Sequence, residues 1–176
     1  SGTVTSSYQD LTYSFTLTES NTGASQGYTF TNSGTGVLVT ITQQPSDTQV
    51  EAGGGVNAQF GPVAGTSSDG SIITYQWQIS TDGGSNWSNI SSLAGHVGEV
   101  RDTLTVSDNY AFDDNQYRCV MDTATAVIPS TTNVATLYVY RIVTIGTQPT
   151  NQTPVAPGTA TFSVTASTLD AATIGY

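Results

Sequence analysis

The chain has 176 residues, of which 36% are hydrophobic and only 9% are charged. Its 13 acidic residues stand against three arginines and no lysine, which gives a net charge of −10 at pH 7. Nucleic acid is therefore not expected as a partner, because phosphate contacts need clustered basic side chains. No stretch approaches the roughly 18 consecutive apolar residues of a membrane-spanning helix, so membrane insertion is not expected either.

The distribution of residue types predicts an all-β protein. Short runs rich in Val, Ile, Tyr and Phe alternate with polar residues, and Gly, Ser, Thr, Asn and Gln fill the intervals. β-Branched and aromatic side chains suit a pleated, half-buried sheet, and small polar residues form its turns. The first runs, LTYSFTLTES and YTFTNSGTGVLVTI, predict a hairpin. Residues 1–41 are interpreted as the end of a preceding β-unit or as a small β-domain.

Six further strands are predicted between residues 42 and 142. Each is a run with period-two alternation, bounded by turn residues such as those in TDGGSN. In chain order the runs are VNAQFGPV, IITYQWQIS, WSNI, DTLTVS, NQYRCVMD and VATLYVY. Residues 42–142 are therefore predicted to form one complete domain.

The sequence contains an internal repeat. VTITQQPSDTQVEAGGGVNAQF (39–60) and VTIGTQPTNQTPVAPGTATF (143–162) share VTI, QP and a closing A-x-F. Three residue pairs occupy matching positions about 100 residues apart, a typical sandwich length: Pro45 and Pro149, Phe60 and Phe162, and Tyr75 and Tyr176. Residues 143–176 are thus interpreted as the opening strands of a further domain, and the chain as a fragment of a tandem array. The short link between the two copies predicts a semi-rigid row of domains.

The spacing of three residues near the end of the complete domain is specific enough to indicate a type of fold. The pattern Asp113-x-x-x-Tyr117-x-Cys119 lies downstream of Trp77, which is found in YQWQ and is followed by STDGGSNW. These residues resemble the signature of the immunoglobulin-like superfamily, in its I-set or bacterial and bacteriophage form. The resemblance implies an immunoglobulin-like β-sandwich in a tandem array. It also implies that Trp77 and Tyr117 are core residues and that the Tyr117 hydroxyl bonds to backbone a few residues upstream.

The inter-sheet disulfide of that superfamily lacks one half in this sequence. Cys119 is the only cysteine, and Phe60 occupies the position at which the resemblance places the partner. The Cys119 thiol is therefore expected to pack as a small apolar group against Phe60 and Trp77 in the core. A domain that needs no bridge can fold in a reducing cytoplasm.

The remaining polar residues predict little chemistry, and the chain is predicted not to be an enzyme. His96 is interpreted as a solvent-exposed loop residue, and a single histidine cannot form a zinc site. Asp108, Asp113 and Asp114 lack the D-x-D-x-D-G spacing of a calcium loop, so no metal and no other cofactor is expected. Arg101 and Asp113 are candidates to pair across one end of the sandwich, as the resemblance implies.

Three aromatic residues in loops are candidates for ligand contact: Trp87, Tyr110 and Phe112. Aromatic side chains provide a large contact area at a small cost in conformational entropy. For Trp87 the alternative is that the ring packs back onto the neighbouring sheet, because it follows a tight turn.

The functional hypothesis is a non-catalytic structural and adhesive module of a bacteriophage virion protein, in a capsid, tail or fibre. The resemblance implies display on the virion surface, with other virion proteins or copies of the chain as partners and host-surface carbohydrate as a ligand. Many copies on one particle would make weak contacts useful. Two alternatives remain open at this point: a tandem adhesin of a bacterial cell surface, and an accessory module of a larger secreted carbohydrate-active enzyme.

Overall fold

The computed structural model describes residues 11–18, 25–32, 36–126 and 128–175. Its first two strands, β1 (Leu11–Thr18) and β2 (Ser25–Asn32), pair antiparallel, with Leu11 opposite Asn32 and Thr18 opposite Ser25. The hairpin predicted from the alternation is confirmed. Tyr176, the last residue of the predicted repeat pairs, lies outside the described residues.

Residues 36–142 form the body of the fold. Its strands in chain order are β3 (Val39–Gln43), β4 (Thr48–Glu51), β5 (Ala58–Phe60), β6 (Ala64–Ser67), β7 (Thr74–Ser80), β8 (Ser88–Asn89), β9 (His96–Val97), β10 (Leu104–Val106), β11 (Gln116–Asp122), β12 (Ser130–Thr131) and β13 (Ala135–Tyr140). A short 3-10 helix (Tyr110–Phe112) precedes β11. The described part of the chain contains no helical segment that could span a bilayer.

The strands are arranged as an immunoglobulin-like β-sandwich, the predicted fold class. One layer contains an antiparallel sheet in the order β5-β10-β9, and β3 pairs with β6. The other layer has the order β4-β13-β11-β7-β8, with β12 on the end of β11. In that layer β4 runs parallel to β13, and β11 pairs antiparallel with β7.

All six strands predicted between residues 42 and 142 are present with shorter bounds. The predicted run VNAQFGPV ends as a strand at Phe60, after which the chain turns and β6 pairs with β3 instead. Gly61 at this turn has a φ of +115°, and a Cβ atom there would lie 2.5 Å from the carbonyl oxygen of Asp102. The turn therefore requires glycine.

The core lies between the two layers and contains the four residues predicted for it. The exposed fraction is 0% for Phe60, Trp77, Tyr117 and Cys119. The Phe60 ring centroid lies 4.7 Å from that of Tyr117 and 6.5 Å from that of Trp77. Cys119 is directly opposite Trp77 in the pairing of β11 with β7. Aromatic packing thus fills the space in which the resemblance places a disulfide.

Burial raises the pKa of the Cys119 thiol to about 12, which keeps the sulfur protonated at neutral pH. Because the thiolate is the reactive form, we expect a thiol-specific reagent to modify native Cys119 only through the unfolded fraction. The rate should be at least about a thousandfold lower than in denaturing guanidinium. The reaction is followed by the absorbance of the chromophore that the reagent releases. Rapid modification of the native chain would contradict this packing.

Two polar residues differ from the sequence-based interpretation. His96 was expected in an exposed loop, but it begins β9 and is only 6% exposed. The Tyr117 hydroxyl was expected to bond to backbone upstream, but its partner is the His96 ring, with 3.1 Å between Nε2 and the hydroxyl oxygen. Both expectations were wrong for one reason: the short strand β9 pairs with β10 and so brings the histidine over the tyrosine.

The expected ion pair between Arg101 and Asp113 is also absent from the described residues. Asp113 accepts a hydrogen bond from the backbone N–H of Val139 at 2.7 Å, so its carboxylate is taken up by β13. Arg101 is exposed, and its carbonyl accepts a hydrogen bond from Trp77 Nε1 at 2.9 Å. The backbone N–H of Val139 thus takes the place of the Arg101 side chain as the partner of the Asp113 carboxylate.

The repeat segment after residue 142 contains two strands, β14 (Thr144–Thr147) and β15 (Thr165–Ser167), which pair antiparallel. Phe162, the repeat partner of Phe60, is 62% exposed. The division of the chain at residues 41 and 142 into separate domains stays a prediction.

Candidate functional site

The outer side of the layer that contains β7, β8 and β11 carries a row of polar side chains. Successive residues of a strand point to opposite faces, and β11 alternates strictly between partly exposed and buried positions. Tyr117 and Cys119 therefore point into the core, while Arg118 between them points outwards. Gln78 on β7 likewise follows the buried Trp77.

Three neighbouring strands each contribute one residue to a chain of hydrogen bonds. Arg118 lies opposite Gln78, and Gln78 lies opposite Asn89. Arg118 Nε donates to Gln78 Oε1 at 2.8 Å, and Gln78 Nε2 donates to Asn89 Oδ1 at 2.9 Å. Each side chain orients the next, so the row is held in one arrangement.

Trp87 completes this surface. The Arg118 guanidinium carbon lies 4.1 Å from the centroid of the Trp87 ring, within the range of a cation–π interaction. Trp87 Nε1 donates to the Gly84 carbonyl at 3.1 Å, and the ring remains partly exposed. We call this surface the arginine–amide face (Gln78, Trp87, Asn89 and Arg118).

The turn before Trp87 is held by Asp82. One oxygen of its carboxylate accepts from the backbone N–H of Asn86 at 2.9 Å, and the other accepts from Asn86 Nδ2 at 2.6 Å. The side-chain and then the backbone hydrogen bond from Asn86 lower the pKa of Asp82 to about 2, with help from the Ser80 hydroxyl. The carboxylate is therefore ionised and bonded at neutral pH, which stabilises the turn that presents Trp87.

The side chains of the arginine–amide face are suited to binding a ligand and not to a chemical reaction. It combines amide donors and acceptors, one cation and one aromatic ring, and none of its four side chains is a nucleophile or a general base. Among residues 36–126 and 128–175, no group of three or more His, Cys, Asp and Glu side chains is placed to hold a metal ion. Its amide and guanidinium groups can exchange hydrogen bonds with a polar ligand, and its aromatic ring offers contact area.

The other two aromatic candidates lie elsewhere. Tyr110 is 39% exposed and stacks against Arg141, whose guanidinium carbon is 3.5 Å from the ring centroid. Phe112 is partly buried against the core and meets the edge of the His96 ring at 4.9 Å between centroids. The structure therefore assigns the three candidates to three different surroundings, and Trp87 is the one on the arginine–amide face.

Arg141 connects the sandwich to the repeat segment. Its Nε donates to Asp170 Oδ2 at 2.7 Å, and this hydrogen bond holds the pKa of Asp170 below its ordinary value. The same guanidinium covers Tyr110, and the groove around these residues has a volume of about 540 Å³. Gly53 allows the backbone of Asp170 to approach closely, because a Cβ at position 53 would lie 2.8 Å from the Asp170 nitrogen.

We expect Arg141→Gln to loosen the repeat segment from the sandwich, because the variant loses both the ion pair and the stack on Tyr110. In ¹⁵N relaxation measurements, the amides of β14 and β15 should then show faster local tumbling than in the parent chain. Arg101→Gln, which removes an exposed arginine, is the matched control and should leave those amides unchanged. Identical relaxation in the parent chain and in both variants would contradict this role for Arg141.

Sequence reasoning missed Gln78, Asn89 and Arg118 as members of a site. An outward position for Arg118 follows from its place between Tyr117 and Cys119, but polar residues on an outer face are ordinary in any sandwich. The signal that distinguishes them is the register between β7, β8 and β11, which no short motif contains.

No protein-family model matches the sequence, and no curated protein matches it. Among solved structures, the chain is similar to the tandem Ig repeats of Dlar, with 20% identity and a TM-score of 0.41 over 63% of this chain and 55% of that chain. It is also similar to the N-terminal four Ig domains of Dscam1 isoform 4.44, with 14% identity and a TM-score of 0.47 over 89% of this chain and 41% of that chain. The chain thus spans about half the length of these structures or less. Its own strand order makes it an immunoglobulin-like module.

Proposed function

We propose that the chain is a non-catalytic, adhesive and structural module of a bacteriophage virion protein, displayed on a capsid, tail or fibre. In this proposal the arginine–amide face makes weak contacts with host-surface carbohydrate. The observation that carries the proposal is the row of oriented side chains from Arg118 to Asn89 beside the Trp87 ring. Sugars present hydroxyl groups that both donate and accept hydrogen bonds, and their apolar C–H faces pack against aromatic rings.

The structural part of the proposal is supported by the core. Aromatic packing around the buried Cys119 stabilises the sandwich without a disulfide, which suits a protein that folds in a reducing cytoplasm before particle assembly. The I-set or bacteriophage type of the domain belongs to this proposal, and so do its partners, other virion proteins or copies of the chain.

The affinity of one module is expected to be low, because the face offers only four side chains on the outer side of a sheet. Multiple copies on one particle compensate, since linked sites raise the effective concentration for the second contact and each further one. The Arg141 contact with Asp170 supports such display, because a stiff junction limits the orientations that successive modules can adopt.

The first test is a glycan array probed with a multivalent form of the chain. We expect binding that Trp87→Ala reduces at least about tenfold, a loss of about 1.4 kcal/mol, and that Tyr110→Ala retains, because Trp87 is the aromatic ring of the arginine–amide face. Loss of binding in Tyr110→Ala alone would place the ligand in the groove around Tyr110, Arg141 and Asp170 instead. No binding to any glycan would contradict the adhesive role.

The second test is electron microscopy of the native source material. Symmetric copies that project from a capsid or tail would support the virion role. Copies that extend from a cell envelope would favour a bacterial adhesin, and attachment to a soluble hydrolase would favour an accessory module of an enzyme.

A further inference from the structure

The Arg118 guanidinium makes a hydrogen bond along one edge and stacks on an aromatic ring with one face. Its Nε bonds to Gln78 at 2.8 Å, and its plane lies over Trp87 with 4.1 Å from Cζ to the ring centroid. Neither Nη1 nor Nη2 of Arg118 has a hydrogen-bond partner among the described residues. Arg118 also has no ion pair among them, since the ion pair that they contain joins Arg141 and Asp170. The outer edge of Arg118 is therefore available.

That edge has the geometry that a carboxylate requires. Two parallel N–H groups on a planar guanidinium match the two oxygens of a carboxylate, and a guanidinium held in place loses little freedom when it binds. The hydrogen bond to Gln78 and the stack on Trp87 provide this orientation before any ligand arrives. A lysine at the same position would present a point charge without the fork.

The charge on this surface is unusual for the chain. The net charge is −10, yet the described side chains bonded to Arg118 are a neutral amide and an aromatic ring. Arg141, by contrast, is paired with a carboxylate. The carboxylate of the neighbouring turn, Asp82, is bonded to Ser80 and Asn86. A preoriented cation bonded to neutral groups is complementary to one negative charge on a polar ligand.

We propose that Arg118 binds the carboxylate of an acidic sugar, of the uronic acid class, on host-surface carbohydrate. This inference rests on the proposed function and names its ligand class. Asn89 Nδ2, on the far end of the row, has no hydrogen-bond partner among the described residues and donates to a sugar hydroxyl. The sugar carboxylate accepts from Nη1 and Nη2 of Arg118.

The test is a titration of the ¹⁵N-labelled chain with methyl glucuronide and, separately, with methyl glucoside, which differ only at the carboxylate carbon. The two indole N–H signals serve as reporter and control: Trp87 is on the face, and Trp77 is fully buried. We expect glucuronide to shift the Trp87 indole and Arg118 Nε signals and glucoside to shift them at least about tenfold less at equal concentration. The Trp77 indole should not move.

The other outcomes are decisive against the inference in different ways. Equal shifts with both sugars would overturn it and leave the proposed function intact. Equal shifts with sodium acetate and glucuronide would show anion binding without sugar recognition and would also overturn it. No shift with any of the three probes would overturn it, and the glycan array then judges the proposed function separately.

Two variants distinguish the effect of the paired N–H groups of Arg118 from the effect of its positive charge. Arg118→Lys keeps the charge and is expected to weaken glucuronide binding about tenfold, because a point charge replaces two parallel N–H bonds. Arg101→Gln removes one positive charge from an exposed position and should bind like the parent chain. A lysine variant that binds as tightly as the parent would overturn the bidentate contact.

Discussion

Phe60→Ala is expected to lower the free energy of unfolding by about 3–5 kcal/mol, the usual cost of truncating a buried phenylalanine. The ring is completely buried and packs against Tyr117 at 4.7 Å and Trp77 at 6.5 Å between centroids. Its removal leaves a cavity in the position at which the resemblance to the immunoglobulin-like superfamily places half of a disulfide. Urea unfolding followed by tryptophan fluorescence measures the change.

The internal repeat supplies the matched control for this substitution. Phe162 occupies the same position in the repeated sequence but is 62% exposed in the 176-residue chain. Phe162→Ala should therefore change the free energy of unfolding by no more than about 0.5 kcal/mol. Similar losses for the two variants would show that Phe60 does not have the central place in the core assigned to it.

The second large effect concerns His96, whose loss should cost about 1–3 kcal/mol because the buried Tyr117 hydroxyl loses its hydrogen bond to the histidine ring. His96 Nδ1 lies 3.2 Å from the Ala94 carbonyl, which can only accept a hydrogen bond, so Nδ1 carries the proton. Nε2 of the neutral ring then accepts from Tyr117 at 3.1 Å. A double-mutant cycle of His96→Ala and Tyr117→Phe isolates the energy of this contact.

The same contact predicts a pH dependence. Burial lowers the pKa of His96 below its ordinary value of 6.5, an effect that the Ala94 carbonyl and the charge of Glu99 oppose. The unfolded chain therefore binds a proton at a higher pH than the folded chain does. The stability is fully present above pH 6.5 and falls as the pH drops through the folded pKa.

This dependence can be measured cleanly because the chain has one histidine. Urea unfolding from pH 8 to pH 5 should show the parent chain losing stability below about pH 6.5, the ordinary histidine value. His96→Gln should be nearly flat over the same range. A parallel loss in both proteins would assign the effect to carboxylates and not to His96.

Much of the fold could be predicted because it depends on local patterns. Period-two alternation located the six strands between residues 42 and 142, since one face of each strand is buried. The spacing from Asp113 to Cys119 pointed to the sandwich and to the core around Trp77. The strands β4 and β9 were not predicted, because they are short and carry no clear alternation.

Local patterns in the sequence are therefore enough to predict the all-β class, the repeat and four central core residues. They do not predict which polar residues meet. His96 reaches Tyr117 because β9 pairs with β10, and Arg118 reaches Gln78 because β11 pairs with β7. Alternation is a local property that tells which side of a strand a residue faces. A contact between residues 21 or 40 positions apart depends instead on the register of the strands.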